Sequence, residues 1–78
     1  MSINFKLLAA DAIENCNIKD AVNVINLAKF NGYDMHDLIE NGFNVGMKHV
    51  DMAYEMDEIP LEKVIEASKL LKSIYEII

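Results

Sequence analysis

Arginine is missing from this 78-residue sequence, proline and cysteine appear once each, and glycine only three times. All seven basic residues are lysines, set against 13 acids, for a net charge of -6. Nucleic-acid binding draws on a basic face and on the forked guanidinium for bidentate contacts, so it is set aside. The longest uncharged stretch, Ala21 to Ala28, has eight residues, where a spanning helix needs about 20. No membrane span is expected. The opening Met1-Ser2-Ile3-Asn4-Phe5-Lys6 has no basic region leading into a long apolar core and no small-residue cleavage site. With Cys16 alone no intramolecular disulfide forms, which fits a reducing compartment, and the expected location is cytoplasmic. Cys16 itself reads as a structural residue.

What is there is a folded composition: 53% hydrophobic and 26% charged residues. The length is roughly half of the ~150 residues of a typical domain, enough for one small core. Such a core seldom supplies more than about 3–5 kcal/mol. A docked partner or self-association is therefore expected, and a homodimer is the simplest form of the latter.

β-Branched residues never alternate between turn signals, so the chain reads as all-α, a small four-helix bundle with short loops. The helices are expected at about 3–15, 18–31, 35–56 and 61–76 of a single domain spanning 1–78. In the first, Phe5, Leu8, Ala9, Ala12 and Ile13 form one stripe at helical spacing. Asn17 caps the second, where Ile18, Ala21, Val22, Ile25 and Ala28 face inward, and Gly32 stops it. Asp34 caps the third, the longest, with Leu38, Ile39, Phe43, Met47, Val50 and Tyr54 on one stripe. Gly42 and Gly46 lie four apart in that helix, and each costs up to ~1 kcal/mol of helix propensity. The close approach of another helix backbone, or a kink near Asn41-Gly42, would offset this. Pro60 opens the fourth helix, which buries Leu61, Val64, Ile65, Ser68, Leu71 and Tyr75 or Ile74.

Little in the chain carries chemistry. His36 stands four before Glu40, the spacing of half a zinc site, but no second half is evident. His49, beside the inward Val50, reads as a partly buried packing residue. No glycine loop suits a phosphate, and Ser2, Ser68 and Cys16 assemble no nucleophile with a base. The chain is not expected to be an enzyme on its own. Asp51, Glu55, Asp57, Glu58 and Glu62 make a local negative run, a solvated face or a surface for a basic partner.

From Gly32 through Asp34, Gly42-Phe43, Gly46-Met47 and Val50, the chain resembles the helical cap domain of corrinoid proteins. These belong to the cobalamin-dependent methyltransferase systems, methionine synthase and the methylamine and methanol corrinoid proteins among them. Tyr54, Glu58, Ile59, Pro60, Leu61, Val64 and Ala67 follow the family's order of aromatic, turn, apolar residue, proline and helix. The likeness covers about residues 15–74. It implies a four-helix bundle covering the methyl-bearing face of a cobalamin, with Tyr54 and Leu61 at the positions of the aromatic and the leucine that touch that face.

The sequence also departs from the family. Glycines are usual where Asp51 and Asp57 stand, and the family's proline follows the leucine that Pro60 here precedes. The α/β corrinoid-binding domain, whose aspartate-x-histidine-x-x-glycine loop supplies the lower cobalt ligand, is absent from these residues. Asp34-Met35-His36 imitates the start of that loop, but Ile39 replaces its glycine at a helix start. The chain is thus read as a fragment of a longer corrinoid protein or a free-standing cap. Cobalamin is the implied cofactor, bound weakly or not at all by this chain alone, and an α/β corrinoid-binding domain or methyltransferase protein is the implied partner. The alternative is a free-standing acidic helical interaction or structural module with the cap fold and no cofactor. A working lid would expose Tyr54 and Leu61 on one apolar patch; a repurposed bundle would bury them.

Overall fold

A computed structural model describes residues 3–78, and these form four helices with no strand among them. Helix α1 is Phe5–Glu14 and α2 is Ile18–Phe30. Helix α3 covers residues 35–55 as one rod in three parts: an α-helical turn Met35–Leu38, a π-helical segment Ile39–Phe43 and an α-helix Asn44–Glu55. Helix α4 is Leu61–Ile77. The bundle measures 38 × 26 × 18 Å.

Side chains start the helices as their residue types dictate. The Asn4, Asn17 and Asp34 carboxamide and carboxylate oxygens accept from the backbone N–H groups of Leu7, Asp20 and His36. Pro60 stands just outside α4, where its missing N–H costs no hydrogen bond. All three turns between helices end the preceding helix in the same way. Asn17, Tyr33 and Glu58 donate their N–H to the carbonyls of Ala12, Ala28 and Ala53, five residues back. The residue before each, Cys16, Gly32 and Asp57, takes a left-handed backbone at φ 51°, 69° and 60°.

The core joins Phe5, Ala9, Ala12 and Ile13 of α1 to Ala21, Val24, Ile25 and Ala28 of α2, Leu38, Phe43 and Val50 of α3, and Ala67, Leu70 and Ile74 of α4. Helix α1 is central and packs on each of the other three. Its contact with α3 explains the two glycines. A Cβ on Gly46 would stand 2.5 Å from the Ala10 carbonyl oxygen and 2.8 Å from its Cα, and one on Gly42 would stand 2.9 Å from the Ala9 Cβ. The helix backbones therefore meet directly at this crossing. The irregularity expected near Asn41-Gly42 is also there, as the π-helical segment. Leu38 and Phe43 lie five apart and are both fully buried. In an unbroken α-helix that spacing would put them about 140° apart, and the wider π-helical turn brings them to the same core.

Several inward assignments need correction. Leu8 and Ile18 are exposed, while Ala10 and Val24 are buried in their place. Tyr54 is exposed at the end of the α3 stripe. The largest difference is in α4, where Leu61, Ile65 and Ser68 are exposed and Ala67 and Leu70 are buried; of Tyr75 and Ile74, Ile74 is the one in the core. That helix carries two apolar stripes. It turns the one containing the small Ala67 toward the core, which leaves the bulkier stripe at the surface.

Candidate functional site

The surface stripe of α4 lies against α3, and two side-chain contacts fix the register of the pair. The Tyr75 hydroxyl donates to the Asn44 side-chain carbonyl, and the Ser68 hydroxyl lies 4.0 Å from the Met47 sulfur. As numbering rises along α3 it falls along α4, so the helices run antiparallel. Seven residues are two helical turns, about 10 Å of rise, and return a side chain to nearly the same face. Seven residues on from Met47 is Tyr54, and seven back from Ser68 is Leu61. Helical register thus sets Tyr54 and Leu61 on the same side of the hairpin, beside the turn that joins its two helices. They are 42% and 50% exposed, values at which neither side chain serves as core.

Ile65, one turn on from Leu61, is exposed on the same stripe. It was expected in the core, and its spacing from Leu61 gave no sign of which stripe faces out. Asp51 falls between Met47 and Tyr54 on the α3 side and is exposed. It is the one carboxylate set directly between them.

Some titratable groups tie two helices together and others pair within α3 or with the loop before it. His49 is exposed and pairs with Glu14 of α1 at 3.2 Å, which corrects its reading as a packing residue. His36 pairs with Glu40 at 3.0 Å on an exposed face. Tyr33 donates its hydroxyl to Asp37, whose other oxygen accepts from the Asn41 amide at 2.6 Å. That tyrosine hydrogen bond is the main reason Asp37 is held below its usual value, with the Asn41 amide and the nearby Lys6 and His36 adding to it. The same bond and partial burial push the Tyr33 phenol up to about 12. Cys16 is half-buried, with its sulfur 3.8 Å from the Lys63 carbonyl oxygen, as a structural residue would be. Ser2 lies outside the described residues.

Among the described residues, no group of three or more His, Cys, Asp or Glu side chains is placed to hold a metal ion. No helix is long and apolar enough to cross a membrane. The α3–α4 face therefore offers apolar area without a ligand set.

Comparison with curated proteins and with solved structures gives no match. Among protein families, the model of a B12 binding domain matches residues 8–78. This span takes in the glycine contact, the hairpin face and every turn described above. The chain belongs to that family, the cobalamin-associated helical cap domain of corrinoid proteins, a binding module with no catalysis of its own.

Proposed function

We propose that the chain covers the methyl-bearing face of a corrinoid during methyl transfer, with Tyr54 and Leu61 as the residues that touch it. The observation that carries this reading is the exposure of both side chains, at positions that helical register puts on one side of the α3–α4 hairpin. An aromatic and an aliphatic side chain left in water at neighbouring positions lose that exposure when a flat apolar surface is laid over them. The corrinoid, when bound, supplies the transferable methyl group. The chain's own residues add contact area and exclude water from above it, and they add no ligand.

The cofactor is held mainly by an α/β corrinoid-binding domain, in the same protein or another, and this chain closes over that domain as a lid. Without it, the lid face pairs with a second copy of itself in a homodimer. In this reading the chain works in the cytoplasm, alongside the methyl-transfer enzymes.

Calorimetric titration with methylcobalamin tests the reading, with the native chain, Tyr54→Ala and Leu61→Ala, each with and without an α/β corrinoid-binding domain. Binding is expected only with that domain, weakened in each variant by about tenfold, the effect of losing one well-packed anchor. Cobalamin ignored in every combination would leave the cap fold without its cofactor role. The acidic run Asp51, Glu55, Asp57, Glu58 and Glu62 would then mark a protein-interaction module.

A further inference from the structure

A second apolar surface lies away from the hairpin. Helices α1 and α2 run antiparallel through the short turn at Asn15–Asn17, and an open groove of about 430 Å³ lies between them. Leu8 and Leu27 stand at one end, Ala12 and Val24 form the floor, and Asp11 and Asp20 stand along the rim. Leu8 and Leu27 are 40% and 41% exposed, and Phe30, one turn beyond Leu27, is 89% exposed. On α1, Leu8 and Ala12 lie two residues either side of Ala10, on the side of the helix opposite the contact with Gly46. The groove and the lid face are therefore on different helix pairs, and both can be engaged at once.

Charge identifies the occupant. Asp11 and Asp20 take part in no ion pair among the described residues, and no lysine lines the groove. A second copy seated here about a two-fold axis would bring four carboxylates into one small patch, which opposes self-pairing. From Leu8 to Asn15 and from Asp20 to Leu27 the walls each run two helical turns, about 10 Å, which matches two turns of an incoming helix. We infer that this groove docks an amphipathic helix of a partner protein, one whose apolar stripe is flanked by lysine or arginine. Leu8, Val24 and Leu27 take the apolar stripe, and Asp11 and Asp20 pair with the flanking cations.

The test uses the whole chain and two synthetic helical peptides with the same leucine stripe, one flanked by lysines and its twin by glutamates. The lysine peptide is expected to bind and to shift the amide resonances of Leu8, Asp11, Val24 and Leu27. Asp11→Asn with Asp20→Asn should weaken it about tenfold, and Leu8→Ala with Leu27→Ala by more. All four positions are at the surface or the groove wall, and circular dichroism of each variant checks that the helices remain. The proposal is overturned if neither peptide binds, if the glutamate twin binds equally well, or if the shifts fall on the Tyr54 and Leu61 face. Because the cobalamin titration reads the other face, either result can fail without the other.

Discussion

At the residue scale, the Tyr33–Asp37–Asn41 cluster ties the loop before α3 to its first turns. Asp37 is held below its usual 3.8, so its contribution to stability is complete above the ordinary carboxylate range and is lost as the pH falls through its lowered value. Tyr33 has the opposite sense. Its phenol is raised from 10.0 to about 12, so its contribution is present below pH 10 and lost as the pH climbs toward 12. Tyr33→Phe should return the Asp37 titration toward 3.8, as read by carboxyl-carbon NMR, and should abolish the alkaline loss. If Asp37 titrates unchanged in that variant, the hydrogen bond is not the cause of its shift. The left-handed residues show a second single-residue effect. Asp57 has a φ of 60°, a left-handed backbone that glycine takes more readily than a residue with a Cβ. At Asp51 the helix is regular, and nothing in the backbone requires a glycine.

At the element scale, α3 carries the molecule's sharpest constraint. Gly46→Ala improves helix propensity by about 1 kcal/mol, yet its Cβ would meet the Ala10 backbone, which has nowhere to yield. Overpacking of this kind costs typically 1–3 kcal/mol, so a net loss of about 1 kcal/mol is expected. Thermal unfolding should show a midpoint lower by roughly 5 °C. A midpoint that rises would mean the two helices are not in backbone contact there. These glycines were legible in the sequence because two in one helix, four apart, demand an explanation. So were the caps at Asn17 and Asp34, whose signals are local. The phase of α4 was not legible. It carries two apolar stripes of similar strength, and the choice between them depends on what α1 and α3 present to it. Tyr54, Leu61 and Ile65 show the consequence: residues that pattern alone assigns to the core stand at the surface. Tyr54 and Leu61 are exposed, where periodicity alone had put them in the core.

At the scale of the whole molecule, the chain has two exposed apolar faces and an acidic balance of charge. The homodimer of the proposal would form through the hairpin face, where Tyr54 and Leu61 are exposed. Sedimentation equilibrium over rising concentration should show a monomer–dimer equilibrium in the native chain and a monomer in the Tyr54→Ala, Leu61→Ala double variant. A native chain that stays monomeric at millimolar concentration would remove the homodimer from the proposal. Partners recruited to each face would meet through one small body that carries α1 between them. Because α1 packs on every other helix, it sets the order in which the molecule opens. The outer turns of α2 and the end of α4 can fray while α1 stays engaged. Amide protons in the middle of α1 are released only when the entire bundle comes apart, so their exchange with deuterium reports the global unfolding free energy. A ligand on either face slows that exchange by shifting the balance toward the closed bundle, without touching α1's own hydrogen bonds.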